Sequence, residues 1–178
     1  MTAAAPALAL DDITCRFAGR DGGSPYTAVA NATVTVGVGE FVSVVGPTGC
    51  GKSTLLKIAS GLLDASGGSI SVDRDRIGYV FQDATLLPWR TVRRNVELLA
   101  ELKGLEKAER ARLAQDAIDL VGLAGFENHY PRSLSGGMRM RASLARTLTL
   151  KPPVFLFDEP FGAVDEITRE RLNEETLR

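Results

Sequence analysis

Gly46-Pro-Thr-Gly-Cys-Gly-Lys-Ser-Thr54 gathers three glycines, a lysine and hydroxyl side chains into nine residues. Glycine lets the backbone approach an anion more closely than a residue with a Cβ allows, and successive inward N–H groups form a concave site for phosphate oxygens. Lys52 adds a fixed positive charge, Ser53 a hydroxyl suited to Mg²⁺, and Thr54 a hydroxyl for a neighbouring phosphate. Far along the chain, the apolar run Val154-Phe155-Leu156-Phe157 ends in Asp158-Glu159. Two acids at the end of a buried strand lie where parallel α/β sheets collect their ligands. Asp158 is suited to hold Mg²⁺ directly or through water, and Glu159 to orient or deprotonate an attacking water. Each pattern alone has a bland alternative, a glycine-rich turn with an incidental lysine or a strand entering a solvated turn. Together they describe phosphoryl chemistry.

The elements that must position these groups follow from periodicity. Strands are expected at Leu8 to Phe17, Ala32 to Val38 and Phe41 to Val45, the last leading straight into the glycine loop. Ala18-Gly-Arg-Asp-Gly-Gly-Ser-Pro25 reads as a surface loop. Leu55, Leu56, Ile58 and Ala59 fit the buried stripe of a helix after Lys52, with Gly61 to end it. Strand character returns at Ser69 to Val72 and Arg76 to Phe81. From Val92 to Val121 apolar residues recur every third or fourth place among Glu, Lys and Arg, which predicts a charged helical block. Ser135 to Leu150 predicts another helix, Val154 to Phe157 a short buried strand, and Asp165 to Arg178 a polar terminal helix. Alternating strands and helices imply an α/β domain with a substantially parallel sheet.

The composition sets outer limits. A chain of 178 residues has the length of one domain. Lys and Arg number 21 against 22 Asp and Glu, a formal net charge of -1 that gives no general drive toward nucleic acid or an anionic membrane. No apolar run approaches the roughly 20 residues that span a bilayer. The small apolar stretch Thr2 to Leu10 has no basic residue after Met1 and is expected to lead into the first strand. Only Cys15 and Cys50 occur; with Cys50 inside the glycine loop, two unpaired thiols in a reducing cytoplasm are expected.

Leu134-Ser135-Gly136-Gly137-Met138, followed by Arg139-x-Arg141, narrows the reading. Read alone, Ser135-Gly-Gly is a helix cap with a flexible lead-in. Coupled with the phosphate loop, it resembles the signature of ABC transporter ATPases. The resemblance implies a P-loop ABC-ATPase fold with an N-terminal antiparallel β part and a helical subdomain at about 90–150. It implies ATP and Mg²⁺ as ligands, with Gly46, Pro47, Thr48, Gly49, Cys50, Gly51, Lys52, Ser53 and Thr54 around the phosphates, and Ser53, Gln82 and Asp158 around the metal. Lys52, Gln82 and Glu159 would carry catalysis. In that family Ser135, Gly136 and Gly137 would close over the γ-phosphate held by an opposite subunit, and Gln82, at the end of a strand, would touch Mg²⁺ and sense membrane subunits. Phe161-Gly-Ala-Val-Asp165 resembles the D-loop, whose Asp165 would couple two sites across a dimer. An aromatic residue upstream of the loop would stack on adenine; Phe17 is the choice and Tyr26 the rival.

Met138 stands where many relatives carry Gln, and Leu87-Pro-Trp89 follows Gln82; both are similar to importers of the nitrate, sulfonate and taurine group. That resemblance implies an importer subunit paired as a homodimer or with a second ATPase, docked on transmembrane permease subunits at the inner membrane face. A separate solute-binding protein would act indirectly, and nucleic acid would have no part. Trp89 is either an exposed docking residue or buried against the helical block. The family pattern continues with a strand ending in a switch histidine. The single histidine, His129, precedes the pentad in a turn-like stretch, so it is expected at the surface and the chain is expected to be a C-terminally truncated cassette. The alternatives are an ATP-binding module without efficient hydrolysis and a soluble, non-transport ABC ATPase.

Overall fold

A computed structural model describes residues 5–19 and 24–159. The chain divides into two compact units, Met1–Ile77 and Gly78–Arg178. The expected terminal helix over 165–178 and the expected D-loop lie outside the described residues.

In the first unit β1 (Leu8–Phe17) is the central strand of an antiparallel sheet, flanked by β2 (Tyr26–Val36) and β3 (Gly67–Ser71). The sequence of β1 explains an irregularity in it. Leu8 and Leu10 are buried, and strict alternation would then place Asp12 on the same face. Instead the register shifts between Leu10 and Ile13, and Ile13 and Cys15 return to the core. Asp12 and Asn31 sit at this bulge with φ of 53° and 49°, and Asn31 Nδ2 donates to Asp12 Oδ1 at 2.6 Å. The neighbouring strand comes so close that a Cβ on Gly68 would lie 2.6 Å from the carbonyl oxygens of Asp11 and Asp12.

The helix α1 (Lys52–Ser60) buries Leu55, Ile58 and Ala59. Gly61, at φ 78°, ends it in the left-handed conformation, donating its N–H to Ile58 and Lys57 carbonyls. The expected strand at Phe41 to Val45 does not form among the described residues: the sheet runs β2, β1, β3 and contains no ladder to this segment. Phe41 and Val45 are 76% and 89% exposed. The physical reason is that a run apolar on both faces specifies a central strand, which needs a hydrogen-bonded neighbour to exist as one.

In the second unit β4 (Ile77–Val80) lies beside β5 (Val154–Phe157). A Cβ on Gly78 would meet Pro152 Cγ and Thr147 Cγ2 at 2.6 Å, so glycine permits the close approach. The expected helical block consists of α2 (Val92–Val96), α3 (Leu98–Leu102) and α4 (Lys107–Leu120), with Gly104 at φ 74° in the break before α4. These pack with α5 (Gly136–Leu148) around Val92, Val96, Ile118, Leu123, Leu144 and Ala145. Leu156 is buried while the other three residues of β5 are half-buried, so the strand is less enclosed than its apolar run implies. The expected α/β class holds, with an antiparallel N-terminal part.

Candidate functional site

In the first unit the glycine loop runs into the N-terminus of α1. Gly51 adopts φ 100°, a left-handed conformation from which the chain turns into the helix, and its carbonyl accepts from Leu55 N at 2.9 Å. A Cβ there would also collide with the Ala28 carbonyl oxygen. Gly51→Ala is therefore expected to destabilise the chain by at least about 1–2 kcal/mol from the left-handed conformation alone. Urea unfolding followed by circular dichroism checks this, and an unchanged midpoint would contradict it.

Gly49 is also left-handed, at φ 82°, and a Cβ on Gly46 would lie 2.7 Å from Cys50 Sγ. Lys52 Nζ donates to the carbonyls of Gly46 at 2.9 Å and Pro47 at 3.1 Å, so its ammonium is held over the loop. Residues 46–50, including Thr48 and Cys50, are exposed, while Gly51, Lys52, Ser53 and Thr54 are half-buried at the helix start. No acidic residue stands in the first turn of α1, so the positive end of the helix dipole is not offset locally. Positively charged, glycine-lined and hydroxyl-bearing, this loop fits a polyphosphate with Mg²⁺. Phe17 and Tyr26, expected as alternatives, face each other across the β1–β2 pair with ring centroids 5.4 Å apart and planes inclined by 27°. Tyr26 is exposed and Phe17 half-buried. Cys15 is buried and Cys50 exposed, both as free thiols.

In the second unit β4 and β5 end on the same side. Asp158 N donates to Val80 O at 3.0 Å, and Gln82 Nε2 donates to Glu159 Oε2 at 3.5 Å. The structure thus brings together Gln82, Asp158 and Glu159. Asp158 is buried at 5% exposure, and Tyr79 Oη donates to its Oδ2 at 3.2 Å. Burial pushes the Tyr79 phenol well above its usual range, and the charge and hydrogen bond of Asp158 add to this, so Tyr79 stays a neutral donor. Glu159 stands at φ 50°, a left-handed position for a non-glycine residue. The place of Tyr79 beside Asp158 is not legible in the sequence. Only the pairing of β4 with β5 sets its hydroxyl against the acid, and the single available signal was an aromatic with a polar tip in an otherwise apolar strand.

Ser135 caps α5, its Oγ accepting from Met138 N at 3.2 Å. A hydroxyl that accepts in this way keeps its proton for donation to an anion. Ser135 and Gly136 are exposed and Gly137 half-buried, and α5 carries no acid in its first turn. Met138 packs against the helical core, and Arg139 Nη1 donates to Leu134 O at 2.7 Å. Trp89 is 71% exposed and so is not buried against the helical block. His129 is exposed in its loop, its carbonyl accepting from Val92 N. Asp165 lies outside the described residues.

The chain is similar in sequence and in fold to known proteins. An uncharacterized ABC transporter ATP-binding protein of Methanocaldococcus jannaschii is 45% identical over 163 residues, 88% of this chain and 61% of its own length. The nitrate import ATP-binding protein NrtD of Synechocystis sp. is 44% identical over 174 residues, 94% of this chain and 65% of the relative. The taurine import ATP-binding protein TauB of Yersinia pestis bv. Antiqua is 44% identical over 154 residues, 83% of this chain and 60% of the relative. The chain therefore spans between 60% and 65% of the length of these proteins. Among solved structures, a dimeric post-hydrolysis state of the ATP-binding cassette MJ0796, bound to ADP and Pi, superimposes with a TM-score of 0.86 at 32% identity, over 94% of this chain and 80% of that one. The ABC transporter family profile matches residues 29–162, and the chain is accordingly a member of the ABC transporter family.

Proposed function

We propose that the chain binds and hydrolyses MgATP as the energising subunit of an importer for a small anion of the nitrate, sulfonate or taurine kind. The observation that carries this reading is the phosphate loop on α1, with Gly49 and Gly51 left-handed and Lys52 Nζ held over the Gly46 and Pro47 carbonyls. ATP would supply the transferable phosphoryl group, and Mg²⁺, when bound, would supply charge neutralisation. In the first unit Lys52 and the loop N–H groups would bind phosphates and Ser53 would offer its hydroxyl to the metal; in the second, Asp158 and Gln82 would offer oxygens to the metal and Glu159 would orient or deprotonate water. Catalysis of this kind rests on positioning and charge neutralisation, not on a covalent enzyme intermediate. Ser135 and the N-terminus of α5 offer a second anion-binding helix end, which in a pair of cassettes would serve a neighbour's nucleotide. The partners in this reading are a second cassette, transmembrane permease subunits and, indirectly, a solute-binding protein. Its place is the inner face of the cell membrane. No helix among the described residues is long and apolar enough to cross a membrane, so attachment would run through the permease.

The relatives that import nitrate and taurine support the solute class. Vesicles carrying the chain with a permease pair and its binding protein test it. MgATP-dependent uptake of nitrate or taurine supports the reading. Co-purification with ribosomes or DNA, and no membrane association, would favour the non-transport alternative instead.

A further inference from the structure

Residues 83–91 are fastened by side chains that the site itself does not use. Arg146 lies on α5, about three helical turns after Ser135. Its Nη1 donates to Thr85 O at 3.0 Å, and its Nη2 to Thr85 Oγ1 at 2.9 Å, Ala84 O at 3.5 Å and Ser143 Oγ at 3.3 Å. Thr85 needs such support: a β-branched residue at φ 43° is in a conformation its own side chain disfavours. Farther along, Asn95 on α2 is fully buried. Its Oδ1 accepts from Leu87 N at 2.8 Å while its Nδ2 donates to the carbonyls of Leu87, Arg90 and Thr91 at 3.0–3.1 Å. Thus the chain leaving Gln82 is held three residues later by a planar guanidinium, and again at Leu87 by a buried amide.

We propose that Arg146 is a positioning residue for Gln82, tying the segment that follows the glutamine to the helix that Ser135 caps. The consequence is local and geometric. Gln82 Nε2 reaches Glu159 Oε2 at 3.5 Å, the outer limit of a hydrogen bond, so a small displacement of the segment removes the contact. Asn95 anchors the far end of the same segment, leaving Arg146 to set the end nearest Gln82. Lysine in its place would carry the charge without the fork that grips the Thr85 carbonyl and hydroxyl together. The proposal rests on the ATPase reading for its kinetic effect, but its structural part stands without turnover.

Arg146→Ala and Arg146→Lys, compared with the unmodified chain, test it through three readouts. Amide hydrogen exchange at 83–88 is expected to rise about tenfold or more in Arg146→Ala, with α4 unchanged. The side-chain amide resonance of Gln82 is expected to shift in both variants. In steady-state phosphate release, kcat per folded molecule is expected to fall about tenfold in Arg146→Ala, with KM and the MgATP Kd within about twofold and Arg146→Lys in between. An unmoved Gln82 resonance in Arg146→Lys, or a kcat per folded molecule equal to that of the unmodified chain, would overturn the proposal. If Arg146→Ala does not fold, the lysine variant decides alone. If the unmodified chain shows no turnover, the ATPase reading fails and the Gln82 resonance still decides the positioning role.

Discussion

Lys52→Ala is expected to weaken MgATP binding by about a hundredfold or more. The ammonium serves two purposes. It places a positive charge at the loop and, through its bonds to the carbonyls of Gly46 and Pro47, it ties the loop's start to the first residue of α1. Hydrogen bonds to charged groups contribute about 1.5–3 kcal/mol each. Losing two such contacts to phosphate oxygens therefore costs about 3 kcal/mol or more, which is about two decades in Kd. Alanine is a good helix former, so α1 itself should persist. Isothermal titration with MgATP, beside circular dichroism to show that the helix content is intact, checks this; a Kd within threefold of the unmodified chain would count against the assignment of the loop.

Glu159→Gln is expected to lower phosphate release by about 10²–10⁴-fold, the range over which a positioned general base contributes. The substitution changes little else. Gln keeps the length of the side chain and an oxygen able to accept from Gln82 Nε2, so the contact across the ends of β4 and β5 can survive. What disappears is the negative charge that would orient water and take its proton. Asp158, buried and bonded by Tyr79, is untouched, so the metal role proposed for it would be unaffected. ATP affinity should therefore hold while turnover falls. A variant that releases phosphate at the unmodified rate would remove Glu159 from catalysis, whereas one that loses ATP binding as well would mean that the acid shapes the site instead.

The legible parts of the fold were those in which local chemistry and tertiary structure agree. Leu8, Leu10, Ile13 and Cys15 announce the core face of β1, although the two-residue gap at Asp11-Asp12 needed the bulge to make sense of it. Gly51 and Gly61 mark the two ends of α1, and both stand at the positive φ that glycine tolerates. The glycine loop entering α1, the position of two acids at the end of β5 and the capping serine of α5 were readable as local structure because backbone geometry favours particular residue types there. Phe41 to Val45 misled for the opposite reason. Its composition describes a strand buried on both faces, but strand formation depends on neighbours that composition does not contain.

Side chains that act at long sequence separation were hidden. Asn95 sits in a charged helical block and looks like surface, yet it is fully buried and holds the Leu87 to Thr91 backbone. Arg146 reads as one basic residue among several on α5, and only the fold shows it gripping Thr85, 61 residues away. For Phe17 and Tyr26 the sequence posed a choice, and only the β1–β2 pairing shows the two rings stacked on each other.

The most direct test of the central claim is steady-state phosphate release from MgATP by the purified 178-residue chain, with Glu159→Gln as its blank. Turnover clearly above the blank is the predicted result and would establish that these residues suffice for hydrolysis. Release equal to the blank and no faster than MgATP hydrolysis without protein, with MgATP binding intact, would contradict the hydrolysis claim and leave an ATP-binding module.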